Sequence, residues 1–283
     1  PLPQRVMASV LGFPAEDIPQ LARWGEAQVR GFVHGRGHRN ELTEAELDQQ
    51  FRELDGFKEY VENVIREKRQ RPGDDMISWL CDVEYQALGR KLTEIEINGI
   101  VYAMIIGGLE TTQYALEEQA QLLCEHPGLF QQLKADRSKI RGFCEEALRL
   151  RSPTQGLSSR TTTRDEVFQR VHVPAGSLLH MRWAAGNVDP DEWDCPYDLD
   201  IERKAVTRHL AFSQGPRVCP GAGISRQEQL IAWNCLLDRI GDIEYAPGNT
   251  FEHQPGIMLG TLALRLKFSR DGESAAPLQT KEG

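Results

Sequence analysis

The stretch from Phe212 to Gly221 reads Phe-Ser-Gln-Gly-Pro-Arg-Val-Cys-Pro-Gly, and it is the most distinctive segment of this sequence. It places Cys219 in a turn rich in glycine and proline, directly before a segment with helical periodicity. Unpaired backbone N–H groups at the start of a helix favour an anion, so we expect the sulfur of Cys219 to be held as a thiolate. Gly215 and Gly221 carry no side chain, which lets the backbone approach whatever the sulfur binds.

Arg217 lies two residues before the cysteine and can reach an acidic group on the same ligand. A thiolate with one open side, next to an arginine that can bind a carboxylate, suits the iron of a haem group. The alternative is a buried cysteine in an ordinary strand-to-helix turn, and an isolated cysteine would favour that alternative. The whole segment favours a haem ligand, because the thiol, the glycines and the arginine occur together.

The composition describes a globular chain and excludes several classes of protein. The 283 residues carry a formal net charge of −9, with 33 Lys and Arg against 42 Asp and Glu, which excludes a generally basic nucleic-acid coat. Hydrophobic residues make up 40% and charged residues 27%, so the chain is not a disordered segment. No apolar stretch approaches the roughly 18 residues of a membrane span. We therefore expect neither a nucleic-acid partner nor a membrane partner.

Cysteine usage and the first residues point to a reducing compartment. Six cysteines without a CxxC pair argue against both a disulfide scaffold and a structural zinc cluster. The opening PLPQRVMASVLGFP contains no charged leader ahead of an apolar block. We expect a reduced, cytoplasmic protein.

Apolar periodicity predicts a mainly α-helical chain with minor β structure. Thr93 and Glu96 form a capping box, and the helix that starts there is expected to run to about residue 125. Its middle contains consecutive glycines, each costing up to about 1 kcal/mol relative to alanine, so it needs either a close flat neighbour or a local distortion. Further helices are expected over about 138–151 and 221–240, with a hairpin that pairs VFQRVHV with LLHMRW and a terminal β element over about 256–268.

The cysteine segment resembles the haem-ligand signature of the cytochrome P450 family, FxxGxRxCxG, and matches it at every fixed position. The resemblance implies haem b, an iron protoporphyrin, bound through the thiolate of Cys219. It also implies that the other fixed positions of the signature line the cofactor, namely Phe212, Gly215, Arg217 and Gly221.

A second family signature, ExxR, is present as Glu146-Ala-Leu-Arg149. Glu and Arg three residues apart are common on any helix, where they form a solvated surface pair. The resemblance instead implies a buried ion-pair network that holds the core around the haem.

The third signature, (A/G)Gx(D/E)T, is present as Gly107-Gly108-Leu109-Glu110-Thr111. The resemblance implies that Gly107 and Gly108 remove side chains where the macrocycle and O₂ come near. Thr111 would hydrogen-bond the oxygen ligand, and Glu110 would relay protons from water. The alternative is an ordinary helix with a glycine packing notch.

Weaker matches assign further residues. Arg160 stands where the family places an arginine that binds a haem propionate. The same alignment implies that the substrate is faced by Ala103, Ile106, Gly107, Thr111, Thr154, Ile257 and Met258. Most of these are apolar, which suits a compact hydrophobic molecule such as a terpenoid. The alternative for the apolar ones is plain core packing.

The resemblance covers about Leu2–Phe268 and extends to the soluble bacterial camphor-hydroxylating branch of the family. It implies one partial, N-terminally truncated P450-like domain over residues 1–270 and a polar tail over 271–283. The implied activity is a haem-thiolate monooxygenase that uses O₂ and takes electrons from a ferredoxin-type partner with an NAD(P)H-dependent reductase. Two alternatives stay open: a non-catalytic fragment, with or without haem, and a peroxide-driven oxygenase.

Overall fold

The structure is a computed structural model, and it describes residues 2–34, 42–156, 159–253 and 257–270. The chain divides into two compact units, Pro1–Gln113 and Tyr114–Gly283. Helices dominate both units and the strands are short, so the predicted fold class, mainly α with minor β, is confirmed. The predicted polar tail and Gly256 lie outside the described residues. Among the helices described, none is long and apolar enough to cross a membrane.

The first unit is helical and packs around one apolar core. Its elements are α1 (Leu2–Leu11), α2 (Ile18–His34), α3 (Glu44–Gln70), α4 (Met76–Asp82), β1 (Glu84–Tyr85), β2 (Arg90–Lys91) and α5 (Glu94–Leu109). The capping box predicted for α5 is confirmed: the N–H and hydroxyl of Thr93 donate to the Glu96 carboxylate at 2.8 and 2.9 Å. One face of α5 is buried in the core through Ile97, Val101, Ile105 and Leu109.

The single long helix predicted over about 93–125 is instead two helices, α5 and α6 (Thr111–Glu125), separated at Glu110. Consecutive glycines lower the helix propensity just before this break. The Thr111 hydroxyl also donates to the Gly107 carbonyl oxygen at 2.6 Å, and side-chain bonds to the carbonyl four residues back bend helices. Of the two possibilities open for the glycines, the structure therefore contains the local distortion.

The second unit combines helices with two-stranded sheets. Beyond most of α6, its elements are α7 (Leu129–Ala135), α8 (Ile140–Leu150), β3 (Ser159–Thr161), β4 (Glu166–Phe168), β5 (Val171–Val173), β6 (Leu178–His180), α9 (Trp183–Gly186), α10 (Ala222–Leu237), β7 (Ile240–Tyr245) and β8 (Leu266–Arg270). Phe143 on α8 meets Trp233 on α10 edge to face, with ring centroids 6.0 Å apart. The Trp233 indole N–H donates to the buried amide of Gln119 at 2.6 Å, so the core aromatic has a polar partner.

The predicted pairing of VFQRVHV with LLHMRW is wrong. The first segment is a hairpin in itself, because β4 pairs with β5 across Gln169 and Arg170. Both turn residues have positive φ, 45° and 75°, the backbone conformation that a tight two-residue hairpin requires. The second segment contributes β6, which pairs antiparallel with β3.

Gly142 on α8 allows a close approach between that helix and the backbone of Ile201. A β-carbon at position 142 would lie 2.1 Å from the Ile201 carbonyl oxygen. We expect Gly142→Ala to lower the free energy of unfolding by about 1–3 kcal/mol, because the backbone must move apart to admit the methyl group. Urea unfolding followed by circular dichroism measures the loss.

Gly99 on α5 is the control for the Gly142 variant. A β-carbon at position 99 would meet no atom of the described residues within 4 Å. Gly99→Ala is therefore expected to keep the unfolding free energy or raise it by up to about 1 kcal/mol through helix propensity. An unfolding midpoint of Gly142→Ala equal to that of the unmodified chain would contradict the packing argument.

Candidate functional site

The cysteine segment forms a closed turn in front of α10. The backbone N–H of Cys219 donates to the Phe212 carbonyl at 2.8 Å, and the N–H of Val218 donates to the Gly215 carbonyl at 3.1 Å. Gly215 has φ +73°, a left-handed conformation that favours glycine. Cys219 is exposed and its thiol is not in a disulfide. The turn therefore presents an accessible sulfur on a loop whose ends are joined by backbone hydrogen bonds.

The start of α10 lies directly beside this sulfur. The residue preceding the helix is Gly221, which provides no side-chain cap. A β-carbon at Gly221 would lie 3.8 Å from the Cys219 sulfur, so the thiol and the helix start are close neighbours. A helix start that no side chain caps favours negative charge nearby, and an anionic sulfur is the form that binds iron. The donor set fits a single thiolate ligand to a haem iron.

Two arginines assigned to the cofactor remain available for an acidic group. Arg217 is exposed at the end of a short 3₁₀ turn, Gly215–Arg217. Arg160 is exposed on β3, where its guanidinium donates to the Ser159 carbonyl at 2.9 Å. Within the described part of the chain, neither guanidinium forms an ion pair, so both are free to bind a carboxylate.

Glu146 and Arg149 are fully buried on α8. The Arg149 guanidinium donates to both carboxylate oxygens of Glu146, at 2.7 and 2.8 Å, and both side chains have 0% exposure. A second guanidinium, that of Arg203, donates to Glu146 at 3.0 Å. The structure thus places the ExxR pair inside the second unit and not on a solvated helix face.

Arg149 also ties α8 to the irregular chain that follows α9. Its guanidinium donates to the carbonyl oxygens of Asn187 at 2.8 Å and Pro196 at 2.6 Å. Its guanidinium carbon lies over the ring of Trp193, 5.2 Å from the ring centroid, which is a cation–π contact. One buried side chain therefore joins segments that are distant in sequence.

Three residues assigned to the substrate come together in the second unit. Thr154 and Met258 form an antiparallel bridge, and the Thr154 hydroxyl lies 3.6 Å from the Met258 sulfur. The N–H of Gln155 donates to the Ile257 carbonyl at 2.8 Å. All of these residues are half-buried, so their side chains keep some accessible surface.

The remaining assigned residues lie along α5 and at its end. Ala103 and Gly107, four residues apart, share an exposed helix face. Ile106 and Thr111 are half-buried, and the Thr111 hydroxyl donates to Gly107 as described above. The two exposed positions of α5, Ala103 and Gly107, therefore carry a methyl group and no side chain, respectively.

The two adjacent glycines of the third signature have different surroundings in the structure. A β-carbon at Gly107 would meet no atom of the described residues within 4 Å. A β-carbon at Gly108 would lie 2.5 Å from the Met7 sulfur on α1. Gly108 thus packs against Met7 of α1, whereas the space beside Gly107 is open among the described residues.

Sequence reasoning missed the carboxylate next to the ExxR pair. Glu145 is buried and binds Arg226 and His209. Burial alone would raise the pKa of the Glu145 carboxyl, but hydrogen bonds from His209 and Arg226 lower that pKa to about 2. The signal available in the sequence was the doublet Glu145-Glu146 within an otherwise apolar stretch of helix.

Comparison with known proteins identifies relatives over most of the chain. The family model described as Cytochrome P450 matches residues 42–267. The polyketide biosynthesis cytochrome P450 PksS of Bacillus subtilis (strain 168) is 33% identical over 246 residues, covering 87% of this chain and 57% of that protein. The cyclomarin C epoxidase CymV of Salinispora arenicola (strain CNS-205) is 33% identical over 270 residues, covering 95% of this chain and 66% of that protein.

A solved structure shares the fold. Crystalline CYP109E1 from Bacillus megaterium, in complex with corticosterone, superimposes with a TM-score of 0.83 at 29% identity, covering 95% of this chain and 70% of that chain. This chain spans 57% of the length of the first of the two curated relatives and 66% of the length of the second. With the family model matched over most of its residues, the chain belongs to the cytochrome P450 family.

Proposed function

We propose that this chain carries the haem-binding part of a monooxygenase that inserts one oxygen atom from O₂ into a compact hydrophobic substrate. The observation that carries the proposal is the exposed Cys219 thiol beside the uncapped start of α10. A thiolate ligand donates electron density to the iron and favours O–O cleavage, which distinguishes this chemistry from that of histidine-ligated haem. The family membership of the chain supports the same reaction class.

The residues that would hold haem b are in the second unit. Cys219 would bind the iron through its sulfur, with the backbone of the cysteine loop beside it. Arg217 and Arg160, which form no ion pair among the described residues, would bind the propionate carboxylates. When bound, the haem supplies the redox chemistry, and the protein supplies ligation, proton delivery and the substrate's orientation.

Thr111 and Glu110 would deliver protons. A hydroxyl has one proton to donate and two lone pairs to accept with. In the structure that proton points to the Gly107 carbonyl, so the Thr111 oxygen remains an acceptor that can hold a water molecule. The carboxylate of Glu110, at the break between α5 and α6, would exchange protons with that water.

Thr111→Ala is expected to uncouple electron use from product formation. The variant lacks the oxygen that holds the proton-bearing water. We therefore expect the amount of product formed per NADH consumed to fall by roughly tenfold or more, a loss no larger than the rate contribution of a well-positioned proton-transfer group. Thr111→Ser keeps the hydroxyl and should keep most of the coupling. Equal coupling in Thr111→Ala and the unmodified chain would show that Thr111 only shapes the helix break.

The substrate class follows from the residues assigned to it. In the second unit, Ile257 and Met258 offer half-buried apolar surface. In the first unit, Ala103 and Ile106 on α5 are small and apolar. Apolar side chains of this kind favour compact hydrophobic molecules, with terpenoids and steroids as the first compounds to examine. The corticosterone complex of the related CYP109E1 supports including steroids.

The decisive experiment is spectroscopic. Haem is added to the purified chain, which is reduced under carbon monoxide, and the thiolate-type absorption band is recorded. A chain that takes up no haem, or that takes it up without this band, is the non-catalytic alternative and overturns the proposal.

A chain that shows the band is then tested for turnover. We expect product with NADH, a ferredoxin-type partner and its reductase, because members of the cytochrome P450 family take electrons from redox partners. Product with hydrogen peroxide alone, and none with the electron-transfer partners, would instead establish the peroxide-driven alternative.

A further inference from the structure

Two adjacent buried carboxylates on α8 have different partners. Successive residues of a helix project about 100° apart, so Glu145 and Glu146 face different neighbours. Glu146 belongs to the ExxR network described above. Glu145, only 2% exposed, faces the elements that flank the cysteine loop on both sides.

The first partner of Glu145 lies after the loop. Arg226, in the second turn of α10, donates to both Glu145 oxygens, at 2.5 and 3.0 Å. The guanidinium carbon of Arg226 also lies over the ring of Phe212, 4.5 Å from its centroid. The backbone carbonyl of Phe212 accepts the N–H of Cys219. Arg226 therefore contacts the residue to which the backbone of the cysteine is hydrogen-bonded.

The second partner of Glu145 lies before the loop. The His209 ring is buried, with its Nε2 3.0 Å from Glu145 and its Nδ1 3.2 Å from the backbone nitrogen of Ala211. A backbone N–H can only donate, so Nδ1 must accept, and Nε2 therefore carries the proton that it donates to Glu145. The ring also packs against Phe212, with centroids 5.9 Å apart.

We propose that Glu145 is a positioning residue for the thiolate loop, because it holds Arg226 and His209 on either side of Phe212 and thereby fixes the backbone that carries Cys219. This inference rests on the proposed function, because the position of Cys219 matters for the chemistry only when its sulfur binds a haem iron. Outer residues that orient a metal ligand act in this way, and removing them commonly weakens metal binding about 10–100-fold. Glu145 acts through its hydrogen bonds to Arg226 and His209.

The chain contains a matched control carboxylate. Glu118 on α6 is also 2% exposed, and it too pairs with one arginine and one histidine, Arg151 at 3.5 Å and His253 at 3.4 Å. None of its partners among the described residues lies in the cysteine loop or covers Phe212. Glu145→Gln and Glu118→Gln therefore each remove a buried carboxylate that has an arginine and a histidine as partners, and only the first touches the flanks of the loop.

The first measurement is amide hydrogen exchange in the haem-free chain. We expect faster exchange of peptides covering 212–221 in Glu145→Gln, because the bond from Cys219 to Phe212 opens more often, and unchanged exchange there in Glu118→Gln. The urea midpoint of each variant is measured beside its exchange, so that a change confined to the loop is distinguished from a loss of overall stability. Equal loop exchange in the two variants would overturn the proposal.

A milder variant keeps the test decisive if Glu145→Gln does not fold. Arg226→Lys retains a positive charge for Glu145 but loses the flat guanidinium over Phe212. It should also speed exchange in the loop, and exchange in 212–221 equal to that of the unmodified chain would overturn the proposal.

The second measurement uses the haem-loaded chain. We expect haem to dissociate from Glu145→Gln roughly tenfold faster or more, with a smaller share of the thiolate-type band, and Glu118→Gln to resemble the unmodified chain. Identical haem release from the two variants would count against Glu145. An unmodified chain that never shows the thiolate-type band would instead refute the proposed function, while the exchange result still decides whether Glu145 fixes the loop.

Discussion

Cys219→Ala is expected to abolish the thiolate-type band of the reduced carbon monoxide complex while leaving the fold intact. The side chain at 219 is exposed, and its loop is held by the backbone bond to Phe212, which alanine retains. Exposed substitutions of this kind usually change the free energy of unfolding by no more than about 0.5 kcal/mol. The loss of the band would therefore report the loss of a ligand and not the loss of structure.

The control for this prediction is a second exposed cysteine. Cys235 lies on α10 and is also free. Cys235→Ala should keep the band at full intensity, and the urea midpoints of both variants should match that of the unmodified chain. A thiolate-type band that persists in Cys219→Ala would refute the assignment of the ligand.

Among the variants proposed for this chain, Arg149→Met is expected to lower the free energy of unfolding the most. The guanidinium is fully buried, pairs with Glu146 and donates to the carbonyl oxygens of Asn187 and Pro196. Methionine fills much of the volume but removes the donor to both carbonyl oxygens, while Glu146 keeps only Arg203 as a cationic partner among the described residues. Removing one partner of a buried ion pair typically costs about 3–5 kcal/mol, and we expect a loss of that size in urea unfolding.

An exposed pair of the same type sets the baseline for Arg149. Arg164 donates to Glu166 at 2.8 Å, but its side chain is 81% exposed. Arg164→Met should change the free energy of unfolding by less than about 1 kcal/mol, as solvated pairs usually do. If the two methionine variants unfolded at the same urea concentration, the buried network would not be a principal source of stability.

The helices were largely predictable because their signals are local. The periodicity and the capping box at Thr93 and Glu96 gave α5 its start, and α8 and α10 fall within two or three residues of the expected bounds. The hairpin was assigned wrongly because its turn uses Gln169 and Arg170 at positive φ, residue types that do not signal such a turn.

The parts of the site that depend on distant partners could not be predicted. The Cys219 segment is recognisable because its chemistry is concentrated in a few consecutive residues. The packing role of Gly108 depends on Met7, far away in sequence, and no local pattern reveals such a neighbour. Glu145 was overlooked for a related reason: a charged residue on a helix is normally solvated, and the apolar neighbours of the doublet are a weak local sign of the burial that the fold shows.

The doublet Glu145-Glu146 constrains the rotational setting of α8 about its own axis. Each residue of a helix advances about 100° around the axis and about 1.5 Å along it. A slip of α8 by one position would therefore turn both carboxylates away from their partners at once, disengaging Arg149 and Arg203 together with Arg226 and His209. Insertions or deletions that shift this helix by even one residue are consequently incompatible with the geometry of the sulfur-bearing turn, whereas length changes in exposed connections leave that geometry alone.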